Sequence, residues 1–398
     1  MLLKDTKICI STQHPGMGGG IGREFDLISD FLYRKGYSPK VMFSSNIKKN
    51  LFFNEEFKPY NKNLLKNIIT TKTYIPFYWP NYHIYGNLMK KYAKDFDVCH
   101  QIGGSCFEAT PFLKANKKYI CWAATTFRDE WRTVAKLGDF RRPASWFLRL
   151  ANNLSLPALR HLEKKVYQNA AIINPISTRT ADMIKKEFGV SKDKIRIIHP
   201  PTDFSKFNSK RKPKTKIDFD YILFVGRLDK RKNLEVLFKA FKDINKKLAS
   251  LKLVVLGDGP ERKNLEKFSI DIGIRKNIVF TGFVDDETKI DYLSQAKVFV
   301  LSSTQEGFGI VLVEALGLGV PIVSTDCGGP SDIVEDGKNG YLTKIGDHEE
   351  LSERIHDLLI DENLRKEFGR YGRISVMKKF SIEKIGEKFL KEYKEILE

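Results

Sequence analysis

Residues 297–330, KVFVLSSTQEGFGIVLVEALGLGVPIVSTDCGGP, decide the fold. Val298–Leu301 is an apolar run of strand length, too short for a helix. Ser302–Gln305 is a polar loop. Ile310–Leu318 has helical apolar spacing and stops at Gly319 and Pro321. Ile322–Ser324 is a second apolar run. A strand–helix–strand unit of this kind joins parallel strands by a right-handed crossover. It carries two carboxylates, Glu306 in the loop before the helix and Glu314 inside it. Gly307 and Gly309 flank Phe308, and glycines at such a turn let backbone amides approach a ligand. The helix start adds unpaired N–H groups and a partial positive charge. On spacing alone, two ordinary surface carboxylates remain the alternative.

Upstream of this unit the same alternation runs through the second half. Tyr221–Val225 reads as a strand, 226–233 as a loop and Leu234–Leu248 as a helix. Leu253–Leu256 and Ile278–Thr281 read as strands that lead into GDGPER and GFVDDE. Downstream, a helix is expected near Ser331–Glu335, a strand at Gly340–Thr343, and helices over residues 347–396. Asp285, Asp286 and Glu287 read as the solvated start of a helix. The first half opens as strand (7–11), glycine-rich loop (16–22), helix (Phe25, Leu27, Ile28, Phe31 and Leu32 on one stripe) and strand (Val41–Phe43). That is a Rossmann-like opening. Its glycines do not fit GxGxxG followed by an acid, so a dinucleotide reading is weak.

Further strands are expected at Val98–Gln101, Lys118–Trp122, Ala171–Asn174 and Ile195–Ile198. Residues 46–90, lysine- and asparagine-rich and then aromatic (YIPFYWPNYHIY, 74–85), predict an irregular surface lobe. Residues 141–168 predict a helix broken at Pro157, basic and aromatic at its start. Ser177 predicts an N-cap for a helix that ends at Gly189. Residues 205–217 are charged and poor in apolar side chains, as a domain boundary would be. The resulting fold class is α/β, with two doubly wound parallel-sheet domains.

Composition narrows the partners. The chain has 398 residues and a net charge of +19. Residues 1–200 hold 33 Lys and Arg against 16 Asp and Glu, a net +17, whereas the remainder hold 35 against 33, a net +2. That asymmetry predicts an anionic partner for the first half: nucleic acid, an acidic membrane surface or a phosphorylated substrate. Among these, no recognisable nucleic-acid module is present. No apolar run is long enough to span a bilayer. The five cysteines (Cys9, Cys99, Cys106, Cys121, Cys327) are scattered, without a CxxC pair, and a reducing cytoplasm fits them.

The loops of the second half predict the chemistry. Arg227 and Lys232, the turn Gly282–Phe283–Val284, and Glu306–Gly307–Phe308–Gly309 with Glu314 all lie at carboxyl ends of predicted strands. Cations and amides suit a diphosphate. Carboxylates suit the vicinal hydroxyls of a ribose and a hexose. A nucleoside-diphosphate sugar has all of these groups. Arg227, Lys232 and the helix start would stabilise the departing diphosphate without a metal cofactor.

These blocks carry a resemblance. VGRLDKRKN (225–233), LGDGP (256–260), FTGFV (280–284), EGFGIVLVEALGLGVPIVST (306–325) and CGGPSDIVEDGKNGYLT (327–343) resemble the retaining glycosyltransferases of family four. GGGIGRE (18–24), DVCHQ (97–101) and IIHPPTDFSKF (197–207) match more loosely. The resemblance implies the GT-B fold, two Rossmann-like domains facing a cleft. It implies an N-terminal domain over 1–204, a linker over 205–217, a donor domain over 218–380, and a last helix over 381–398 that returns to the N-terminal domain. It places Glu306 by the donor sugar with the Gly307–Phe308–Gly309 backbone, Glu314 on the ribose, and Arg227 and Lys232 on the diphosphate. Phe283 and Val284 would lie against the base, and Gly19 and Gly20 would approach from the other domain. Many members carry HxH after the strand that ends here in His100. In this chain the second position is Ile102, which weakens an acceptor role for His100.

The expected function is therefore sugar transfer from a nucleoside-diphosphate sugar to a glycan or lipid-linked acceptor. The expected place is the cytoplasm, peripheral to the inner membrane face. An epimerase or hydrolase on the same fold, or a nucleic-acid-binding protein, are the alternatives.

Overall fold

The structure is a computed structural model. It describes residues 5–12, 20–44, 67–71, 78–103, 106–129, 146–207 and 213–398. The chain divides into two compact units. One comprises Met1–Ala135, Phe140–Pro201 and Ile382–Glu398, and the other is chiefly Thr202–Ser381.

The first unit is built on a parallel sheet of six strands: β1 (Ile8–Ser11), β2 (Lys40–Ser44), β3 (Ile68–Thr71), β4 (Val98–Gln101), β5 (Ile120–Ala123) and β6 (Ile172–Pro175). Their order is β3-β2-β1-β4-β5-β6. β1, β4, β5 and β6 are buried throughout, as continuous apolar runs between helical layers should be. The helices are α1 (Gly20–Arg34), α2 (Tyr78–Ala93), α3 (Thr110–Lys114), α4 (Trp146–Asn169) and α5 (Thr178–Phe188). Ser177 caps α5, its side chain accepting from the Thr180 N–H.

The second unit repeats the design. Its strands are β7 (Tyr221–Val225), β8 (Lys252–Leu256), β9 (Ile278–Gly282), β10 (Val298–Leu301), β11 (Ile322–Thr325) and β12 (Gly340–Thr343). The sheet order is β12-β11-β10-β7-β8-β9. Numbered from its own first strand, that is the same 3-2-1-4-5-6 winding. Its helices are α6 (Leu234–Lys247), α7 (Arg262–Asp271), α8 (Asp286–Gln295), α9 (Ile310–Gly317), α10 (His348–Ile360) and α11 (Glu362–Phe380). The side chain of Asp285 caps α8, accepting from the Thr288 N–H, as its acidic start predicts.

The last helix, α12 (Ile382–Leu397), belongs to the first unit. Ile385, Phe389, Tyr393 and Ile396 recur at helical spacing and are buried. Gly386 is required by the approach of α12 to α1, because a Cβ there would lie 2.4 Å from the Phe31 ring. Arg34 pairs with Glu383 and Lys35 with Glu387 along the exposed edge of this contact.

Four expectations change. Residues 78–93 form a helix and not an irregular lobe: Tyr82 stacks on Phe107 at 4.8 Å, and Tyr85 meets the Ser11 hydroxyl at 2.9 Å. Residues 45–66 and 72–77 lie outside the described residues, and Ile68–Thr71 between them forms β3. Pro157 sits inside a continuous α4, since an exposed proline removes one backbone bond without ending the helix. Ile195–Ile198 forms only a bridge at Ile195, because Pro200 and Pro201 follow at once and offer no N–H. The helix expected near Ser331–Glu335 is a single 3-10 turn, Gly329–Asp332.

Candidate functional site

Within the second sheet β7 and β10 are neighbours, and the chain leaves them toward opposite edges. A crevice beyond the carboxyl ends of such a pair is where ligands bind in doubly wound sheets. Two loops meet there. The loop after β7 ends in a 3-10 turn, Lys230–Lys232, and Asn233 then adopts left-handed backbone. The loop after β10 runs from Ser302 to Gly309. The Thr304 N–H donates to the Arg231 carbonyl at 2.8 Å, and the Ser302 hydroxyl to the Lys232 carbonyl at 2.9 Å.

This stitching sets Lys232 against Glu306. The Lys232 ammonium donates to Glu306 Oε2 at 2.5 Å, with only 10% and 16% of the two side chains exposed. Burial by itself would raise the Glu306 carboxyl. The charge and hydrogen bond of Lys232, helped by Arg231 and the Gly307 N–H, hold it below its ordinary value. Glu306 is thus an ionised, oriented carboxylate. The backbone of Glu306 also bridges to the turn after β11, its carbonyl accepting from the Gly329 N–H at 3.1 Å.

α9 starts four residues after Glu306. Its N-cap is Gly309, at φ 101°, a conformation that favours glycine. A glycine cap brings no side chain to the first turn, so nothing from that residue covers its N–H groups. Phe308 turns inward, 3% exposed, with its ring 5.4 Å from that of Phe380. Only the backbone of Gly307–Phe308–Gly309 is therefore available at the rim. Glu314 lies further along α9, 3% exposed, and accepts from the Lys289 ammonium at 3.1 Å. Lys289 also reaches Asp286 at 3.2 Å. Arg227 is half-buried in the loop after β7. In the turn after β9, Phe283 is 89% exposed and Val284 half-buried.

Residues 205–375 match the sequence model of the family described as glycosyl transferases group 1. The second unit therefore carries a group 1 glycosyltransferase domain. Curated relatives agree. It is 34% identical over 176 residues to the lipopolysaccharide core biosynthesis glycosyltransferase LpsE of Rhizobium meliloti, covering 44% of this chain and 50% of that protein. The chain thus matches about half the length of that relative. It is 26% identical over 283 residues, 71% of this chain and 73% of the relative, to an N-acetylgalactosaminyltransferase of Campylobacter jejuni. The relative's name gives N-acetylgalactosamine-N,N'-diacetylbacillosaminyl-diphospho-undecaprenol as the molecule it modifies. Among solved structures, Anabaena HepE in complex with UDP is similar with a TM-score of 0.74 at 16% identity, covering 98% of this chain and 100% of that one. Sucrose-phosphate synthase of Thermosynechococcus elongatus is similar at 0.75 and 18%, covering 98% and 99%. The fold is GT-B.

The second unit gathers Lys232, Glu306 and the Gly307–Gly309 backbone on one rim, with Glu314 on α9. In the first unit, Gly20 opens α1 and Gly19 lies outside the described residues. His100, at the end of β4, is enclosed by packing. It is fully buried, its Nδ1 is 2.7 Å from the Tyr393 hydroxyl, and its ring lies 5.0 Å from that of Phe389. Burial pushes its pKa down to about 3, so it stays neutral. His100 packs against α12. Reasoning from sequence also missed Lys289, hidden in what reads as a solvated helix start. The available signal was its place four residues before the buried Leu293, on the inward face of α8.

Proposed function

We propose that the glycosyltransferase moves a hexose-type sugar, with retention of anomeric configuration, from a nucleoside-diphosphate sugar to a glycan or lipid-linked acceptor at a membrane face. The observation that carries the reading is the Lys232–Glu306 pair at the switch point, beside the start of α9. In this reading the bond between the sugar C1 and the diphosphate oxygen breaks, charge grows on the diphosphate, and the acceptor hydroxyl oxygen bonds C1 from the same face while its proton passes to the departing diphosphate. Lys232, Arg227 and the helix start meet that charge. No metal takes part. Glu306, kept ionised, accepts hydrogen bonds from sugar hydroxyls. Glu314 takes the ribose hydroxyls, with Lys289 holding its charge in place. Phe283 offers an exposed ring to the base.

UDP sugars are the first donors to try, because similar structures are titled as complexes with UDP, with UDP and glucose, and with UDP-glucose. Retention rests on the family resemblance. The lipid-linked acceptor is supported by the name of the Campylobacter relative and by the basic first half. The test is product analysis with UDP sugars and diphospho-polyprenyl acceptors, reading the new linkage by NMR. An α-linked product from an α-linked donor is expected. Glu306→Ala should abolish it in a protein that still melts cooperatively. Release of free sugar or an isomerised donor as the main product would instead favour a hydrolase or an epimerase.

A further inference from the structure

A second feature lies in the first unit, on the outer side of α4. A groove of about 590 Å³ is lined by Phe127 and Arg128, by Leu156, Pro157, Arg160, His161 and Lys164 of α4, and by Glu187 and Phe188 at the end of α5. That volume suits a small ligand or the head of a larger one. The two sides differ. Phe127, Leu156, Pro157 and Phe188 make an apolar floor, and Leu154, 73% exposed, continues it one turn back along α4. Arg128, Arg160 and Lys164 supply three fixed cations against one acid, Glu187. Neither these cations nor His161 bonds or pairs with another described residue. Among the described residues, Glu187 Oε2 is buried with no hydrogen-bond partner. An acceptor left in that state costs stability unless a donor reaches it.

Two demands follow: an anion for the cations and an apolar chain for the floor. An inorganic phosphate meets only the first. We infer that this groove receives the phosphoglycerol head of a membrane lipid, with the first part of its acyl chains on the apolar floor. The inference rests on the reading of this chain as a protein that works at a membrane face. The groove is distinct from the Lys232–Glu306 pair, which belongs to the other unit.

Vesicle flotation tests it, using phosphatidylglycerol in phosphatidylcholine against phosphatidylcholine alone. The wild-type protein should float with the first and not the second. Each cation removed should lower partitioning about fivefold, from the ~1 kcal/mol that a basic residue gains near an anionic leaflet. Arg160→Ala with Lys164→Ala should therefore lose about twenty-five-fold. Lys90→Ala with Lys91→Ala, which removes the same charge from the exposed side of α2, should lose less than about threefold. Equal losses in the two double variants would mean diffuse attraction and overturn the groove. Displacement of bound protein by soluble glycerol 3-phosphate at the same molarity would overturn the lipid as its occupant. No flotation of the wild type would remove the membrane reading and the groove with it. UDP titrations on the same variants keep the transferase reading separate, since both should bind UDP as the wild type does.

Discussion

The two sheets have one winding and opposite uses of their switch points. In the second unit, the crevice between β7 and β10 gathers charge: Lys232 and Glu306 face each other beside an uncapped helix start. In the first unit, the end of β4 is closed by packing. His100 is sealed under Tyr393 and Phe389 of α12, and Trp122 at the end of β5 lies 5.2 Å from Phe389. The same topology therefore gathers paired charge at one site and forms a structural clasp at the other. The winding supplies a crevice, and the side chains decide what it does.

The comparison can be broken from the clasp side. Phe389→Ala should cost about 3–5 kcal/mol in urea unfolding, because it opens a cavity beside two rings. If the two units have separate jobs, nucleotide binding per folded molecule should not change. Next in size is Glu392, on the same helix. Burial pushes its carboxyl up to about 7, although the Asn174 amide donates to it at 3.0 Å. A carboxyl raised in the folded state costs nothing below its unfolded value near 4.5, and destabilises increasingly as pH climbs to about 7. Glu392→Gln should therefore raise stability by about 1–3 kcal/mol above pH 7 and leave it unchanged below pH 4.5, read as Tm against pH. Smallest is Phe283→Ala on the donor side. An 89% exposed ring contributes little to the fold, so Tm should hold within the ~0.5 kcal/mol of a surface change. UDP affinity should fall by about two- to tenfold if the ring stacks on the base.

The winding was legible because parallel strands buried on both faces read as apolar runs. Val298–Leu301 and Tyr221–Val225 needed little else. Glu306 was legible through its glycines. Its orientation was not, because the Lys232–Glu306 pair spans 74 residues and depends on two loops being tied together. Lys289 and Tyr393 escaped for the same reason: each finds its partner across the fold, Tyr393 across 293 residues. Pro157 and the aromatic run at 78–85 misled because local punctuation was read without the tertiary packing that overrides it. The cover over His100 is not visible in its motif position. A strand-end histidine faces whatever covers the strand, and here that is a helix from the far end of the chain.

The central claim is that the Lys232–Glu306 switch point of the second unit binds the donor diphosphate. Calorimetric titration of UDP into the wild-type protein and into Lys232→Met tests it most directly, with a thermal melt of each sample to establish folding. The account predicts saturable binding by the wild type and a loss of at least about thirtyfold in the folded variant, the lower range for an uncompensated charge-assisted contact. Equal affinity in the two proteins would contradict it.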